Sequence, residues 1–169
     1  MLTNKAEKLK KIVSNKFADL DFRIFELLQL NDFFNHQIAH NVFFLYVESD
    51  LGDFVFDLLR DKYPGKILIS PSLTDIEKYV VDAIIIIEKL VSEAPKDKNI
   101  KSNMILEQLL VDLICDKIMR SLINIDEIPR VINSILNKYV IDQAKMFRYS
   151  RRRNVEKQLK MIVESYIEG

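Results

Sequence analysis

The chain has 169 residues, with 25 Lys/Arg against 25 Asp/Glu and 49% hydrophobic side chains. That length suits one domain with a sizeable core, and the mixture of apolar and charged residues excludes an intrinsically disordered chain. Zero net charge excludes a global field that would draw the molecule to nucleic acid or to a membrane.

Charge is uneven along the chain: residues 1–100 carry 13 Lys/Arg against 16 Asp/Glu, and residues 101–169 carry 12 against 9. Cys115 is the only cysteine, so no intrachain disulfide is possible, as in a reducing compartment. The start MLTNKAEKLKK has no apolar signal segment, and AIIII is the longest strongly apolar run. A bilayer span needs roughly 20 apolar residues, so a soluble cytoplasmic protein with no membrane partner is expected.

In chain order, Leu9, Ile12, Val13 and Phe17 stand at helical spacing and predict a helix over 3–18. FRIFEL (22–27), NVFFLYV (41–47), KILIS (66–70) and DAIIIIEKL (82–90) read as strands. The IIII run lacks polar alternation, as in a strand covered on both faces. Short helices are expected near 29–38, 50–62 and 72–79, the last with Ser72 and Asp75 as a capping box after Pro71. After the polar link SEAPKDKN (92–99) the pattern turns helical, over 102–120, 125–138 and 142–167. Asn124 and Glu127 are the cap candidates of the second, and Pro129 sits in its first turn, where a missing N–H costs little. The expected fold class is α/β (α+β): a small mixed sheet of about four strands with packed helices, then a three-helix C-terminal half. Residues 1–169 read as a single domain, with 1–95 as a strand/helix layer and 100–169 as a helical subdomain.

Glycine occurs only at Gly52, Gly65 and Gly169, too sparsely for a P-loop or a GxGxxG turn. No G-x-S-x-G, HExxH or CxxC is present, so no catalytic residue, metal or cofactor is expected. Three weaker constellations remain. His36 and His40, at i and i+4, would share a helix face, with Asp32 or Cys115 as conceivable further ligands. Asp21, Glu48 and Asp50 flank predicted strands as in a divergent metal-dependent nuclease, but Glu48-Ser49-Asp50 lacks the lysine of a Glu-x-Lys site. Cys115 has no histidine close in sequence and reads as a packing residue.

KMFRYSRRRN (145–154) concentrates five of the cations. On a straight helix Lys145, Arg148, Arg152, Val155, Leu159, Ile162 and Tyr166 follow 3,4,3,4 spacing and form one seam, cationic and then apolar. That phase turns Arg148 and Arg152 inward, leaves Arg151 at the edge, and puts Arg153 and Lys157 on the surface. Inward guanidinium groups need carboxylates, and Asp112 and Asp116 of LEQLLVDLICDK (106–117) are the nearest supply, giving ion-pair candidates Asp112, Asp116, Arg148 and Arg152. Lys145, Arg148, Arg151 and Arg152 are equally the candidates for binding an acidic partner, a phosphate or nucleic acid. In the nucleic-acid reading Phe147 or Tyr149 would stack on bases.

LEQLLVDLICDK, followed by YVIDQAKMFRYSRRRN (139–154), resembles the C-terminal helices of AbiEi-type antitoxins of abortive-infection, type IV toxin–antitoxin systems. LDFRIFELLQLNDFFNHQ (20–37), ISPSLTDIEKYV (69–80) and IIIIEKLVSEAP (84–95) are similar to that family's first strand and helix, central helix, and fourth strand and loop. The resemblance implies a non-enzymatic antitoxin-like domain counteracting a nucleotidyltransferase-like toxin in phage defence. Family members typically carry a promoter-binding winged helix before this domain. Residue 1 falls almost at the second domain, so promoter binding as a transcriptional regulator is not implied here. A nucleic-acid-binding accessory module using 145–153 is the alternative, and the divergent nuclease the second.

Overall fold

The computed structural model describes residues 2–48 and 50–167. The fold is mixed α/β, and the chain divides into two compact units. The first comprises 1–29, 38–91 and 96–104; the second comprises 30–37, 92–95 and 105–169. Two short segments of the predicted strand/helix layer, 30–37 and 92–95, thus belong to the helical unit.

The first unit opens with α1, Asn4–Lys16, whose N-cap Thr3 accepts a hydrogen bond from the Ala6 N–H. Strands β1 (Phe22–Glu26), β2 (Val42–Val47), β3 (Ile67–Ile69) and β4 (Ile84–Lys89) form one sheet in the order β1-β2-β4-β3. β1 runs antiparallel to β2, while β2 and β3 run parallel to β4. Helices α2 (Gly52–Arg60) and α3 (Leu73–Tyr79) form the crossovers that parallel pairing requires. The Ser72–Asp75 capping box is present at α3.

One sheet face presents Phe22, Ile24, Phe43, Leu45, Val47, Ile85 and Ile87 to Ala6, Leu9 and Val13 of α1 and Val55 and Leu59 of α2. The opposite face is also buried, through Phe25, Phe44, Tyr46, Ile84 and Ile86, which explains the unalternated IIII run. Residues expected to open a helix at 102 instead run beside β1: Ile24 N–H donates to Ser102 and Met104 N–H donates to Ile24. The Ile24 N–H and C=O on that strand edge are thereby paired.

Glu26 is buried at the end of β1 among donors: Thr3 N–H at 2.9 Å, Thr3 Oγ1 at 2.8 Å and Asn41 Nδ2 at 2.6 Å. Thr3 therefore both caps α1 and satisfies a buried carboxylate. Thr3→Val, which keeps shape and removes the hydroxyl, is expected to cost about 2 kcal/mol, read from the urea midpoint.

The second unit contains α4 (Leu106–Cys115), α5 (Lys117–Ser121), α6 (Ile128–Lys138), α7 (Gln143–Arg152) and α8 (Glu156–Ile167). Two predicted helices are broken. The 102–120 segment splits at Asp116, whose carboxylate accepts Met119 N–H at 2.9 Å and caps α5. The 142–167 segment splits after Arg152, because Asn154 adopts a left-handed conformation (φ 58°) that ends α7. Asn154 N–H donates to Arg151 and Val155 N–H donates to Ser150, the paired bonds of a Schellman stop.

The helix expected at 29–38 shrinks to one 3-10 turn, Leu27–Leu30. Tertiary pairing overrides propensity there. Glu127, beside the 3-10 turn Ile125–Glu127 that leads into α6, accepts the N–H groups of Asn35 and His36 and pairs with Arg130. These partners, the Asn35 N–H foremost, hold its carboxyl down at about 2. Asn124 caps that turn as expected, but Glu127 serves the 35–36 loop rather than closing a reciprocal box.

Candidate interaction surface

α7 begins at Asp142, whose carboxylate accepts Lys145 N–H and whose own N–H donates to Glu107 of α4 at 2.9 Å. The helix buries Met146, Tyr149 and Ser150 at i, i+3 and i+4. Continuing that stripe by three residues gives Arg153, not Arg152. The phase carried back from Val155 and Leu159 fails because the Asn154 turn separates the two helices. The Tyr166 side chain, last in the predicted seam, lies outside the described residues.

The ion-pair expectation is therefore corrected. Arg153 is the cation that reaches Asp112, Nη2 to Oδ1 at 3.5 Å, and its side chain is only 17% exposed. Arg153 Nε also donates to Cys115 Sγ at 3.1 Å, and its guanidinium lies over the Tyr149 ring. Arg148 is exposed, and Arg152, also exposed, donates from Nε to Ser92 Oγ at 2.7 Å. Asp116 serves as the cap of α5. Cysteine and tyrosine at 115 and 149 complete a buried polar cluster that charge counting did not find. The legible signal was Met146-Tyr149-Ser150-Arg153 at helical spacing, closed by an Asn suited to a helix stop.

Asp112 is 1% exposed and accepts Tyr149 O–H at 3.1 Å and Gln108 Nε2–H at 3.2 Å. Burial pushes its carboxyl up to about 7, against the pull of Arg153. Burial also pushes the Cys115 thiol up to about 11, so at neutral pH it is a protonated packing group.

The outer face of α7 is different. Arg148, Arg151 and Arg152 are exposed, and Lys145 is half-buried and pairs with Asp142 at 3.5 Å. Arg151 pairs with Glu156 at 3.1 Å. These three arginines form a basic ridge on a helix whose inner side is fixed by the core and by Arg153. Tyr149 faces inward and is unavailable for stacking, while Phe147 is half-buried.

The other predicted constellations fall apart. His36 lies in a loop rather than a helix and its ring contacts Glu127, so the i, i+4 pairing with His40 is not formed. Asp21 N–H donates to Glu48 Oε1 at 3.1 Å, which brings these two residues together. The Asp21 carboxylate, however, is taken by Arg23 and Lys96, both at 2.6 Å. Although partial burial opposes it, these cations hold the Asp21 carboxyl below its ordinary value. Asp50 lines a separate cleft of about 370 Å³ at the ends of β2, β3 and β4. Among the described residues, no three His, Cys, Asp or Glu are arranged to hold a metal ion, and no helix is long and apolar enough to cross a membrane.

The model of a family of unknown function, DUF6577, matches residues 1–168. The chain belongs to that family. No curated protein and no solved structure matches it. In this DUF6577 chain the basic ridge of α7 is the exposed feature that the anchored inner face of the helix holds in place.

Proposed function

We propose that the chain is a non-enzymatic, antitoxin-like cytoplasmic protein that counteracts a nucleotidyltransferase-type toxin through the ridge of Arg148, Arg151 and Arg152. The observation that carries this reading is the split of one helix's arginines by phase. Arg153 is satisfied internally, while the three outward arginines are mounted on a helix anchored by Met146, Tyr149 and Ser150. Such a ridge suits an acidic protein surface, where charge complementarity sets encounter rate and register. The resemblance supports the same reading, since two of its motifs, 106–117 and 139–154, contain α4 and α7, which pack on each other.

Co-expression with a nucleotidyltransferase toxin encoded beside it is expected to restore growth. Arg148→Glu combined with Arg151→Glu should weaken binding by about tenfold to a hundredfold, since both side chains lie outside the core. Absence of rescue by the wild type would sink the antitoxin reading, and undiminished rescue by the charge-reversed variant would remove the ridge from it. Capture of single-stranded RNA instead, with affinity falling steeply in salt, would transfer the ridge to phosphate binding.

A further inference from the structure

The cluster inside the second unit contains more than an ion pair. Gln108 is 1% exposed; its Nε2 donates to Asp112 Oδ2, yet among the described residues its Oε1 is buried without a hydrogen-bond partner. A buried amide oxygen left unpaired is costly, and it lies on the same group that faces a carboxylate oxygen. We propose that Asp112 and Gln108 form a buried proton-binding site whose occupancy decides whether Arg153 tethers the turn between α7 and α8.

In the unprotonated state Asp112 is an acceptor only. Gln108 Nε2 and Tyr149 Oη donate to it, and Arg153 neutralises its charge. A proton taken from solvent onto Oδ2 turns that oxygen into a donor, and Nε2 cannot receive it. A half-turn of the amide brings Oε1 into its place, so the acceptor becomes paired while Nε2 gives up its bond to Oδ2 in exchange. Each state thus has its own complete bond to Oδ2, and the exchange needs no reactant besides the proton. What the second state loses is the charge that holds Arg153. Its 3.5 Å contact to Asp112 is already longer than a direct charge-assisted bond, and part of the side chain is exposed, so the guanidinium can turn to water.

The surrounding groups favour an equilibrium near neutrality. From α4 and its end come Cys115, with Sγ 4.0 Å from Asp112 Oδ1, and Asp116, whose charge opposes ionisation. From α7 and its cap come Tyr149 and Arg153. Arg120 of α5 is turned to the carbonyls of Leu113 and Ile114. α6 and α8 also pack on α4, and the residues they bury (Val131, Ile132, Ile135 and Leu159 among them) do not titrate. Burial then carries the Asp112 carboxyl to about 7. The lever is local: Arg153 is the C-cap of α7, one residue before the left-handed Asn154. Releasing it loosens the mounting of the same helix that carries Arg148, Arg151 and Arg152.

The test uses the free chain, so its failure would leave the docking reading standing, and loss of docking would not touch it. Amide exchange at Asn154 and Val155, corrected for intrinsic rate, reports the turn; the carboxyl-carbon shift of Asp112 reports the proton. On acidification from about pH 8.5 to about pH 5.5, protection of both amides is expected to fall about fivefold as Asp112 titrates. Asp112→Asn should show the low protection at every pH. Arg153→Gln should do the same while Asp112 still titrates, and it decides the matter if Asp112→Asn fails to fold. Protection that stays constant in the wild type while Asp112 titrates, or an Asp112 shift that stays flat across the range, would overturn the proposal.

Discussion

Replacing Asp112 by asparagine is expected to remove a loss of stability that the wild type suffers as pH rises from about 4 to about 7. The folded carboxyl titrates near 7 against an ordinary 3.8, so the folded chain holds a proton that the unfolded chain releases. Its contribution is complete below the unfolded value and disappears as pH climbs through the folded one. The size of the effect is on the order of 4 kcal/mol, set by a fully buried carboxyl raised from 3.8 to about 7. Asparagine resembles the neutral acid in shape and cannot ionise. Urea midpoints at pH 5 and pH 8 should therefore differ clearly in the wild type and far less in the variant. A wild-type midpoint that rises from pH 5 to pH 8 relative to the variant would contradict the assignment.

Lowered carboxyls act in the opposite sense and in another window. Glu127, held down at about 2 by the Asn35 and His36 N–H groups, His36 and Arg130, contributes stability above the ordinary glutamate range and loses it as pH falls towards 2. Asp21, Asp142 and Glu156 are lowered as well. The expected curve is a dome with its acid side set by Glu127 and the other lowered carboxylates and its basic side set by Asp112. The difference between wild type and Asp112→Asn isolates the second from the first.

The sheet was legible because its signals are local: aromatic and β-branched runs name β2, β3 and β4 within two residues of their ends. The α3 cap was legible for the same reason. Helix continuity was not, since Asp116 and Asn154 each end a helix by a backbone choice that apolar periodicity does not record. The error propagated directly into the site. Treating 142–167 as one cylinder rotated the arginines by one position and assigned to Arg152 the place that Arg153 holds. The segment 30–37 failed for a different reason: its partner, Glu127, lies about ninety residues away, beyond the reach of any local pattern. Gln108 carries no signal in the sequence, because an amide oxygen becomes unpaired only once its surroundings exist.

The corrected pairing yields a sharp contrast between neighbours. At pH 8 Arg153→Ala is expected to cost about 3 kcal/mol, because it strands a buried carboxylate and vacates the space above Tyr149 and Cys115. Arg152→Ala and Arg148→Ala, on the exposed face, should each stay within about 0.5 kcal/mol of the wild type. The Arg153 effect should itself depend on pH. Asp112 holds its proton below about 7, so near pH 5 there is no charge left to strand. The cost should then shrink to about 1 kcal/mol, the packing of the arginine stem over the ring. A double-mutant cycle with Asp112→Asn separates the two parts: the coupling energy at pH 8 measures the charge pair, and the cost of Arg153→Ala that persists at pH 5 measures the packing. No measurable coupling at pH 8 would mean that Arg153 is held by Tyr149 and Cys115 alone, and Asp112 would lose its place as the group that fixes the turn.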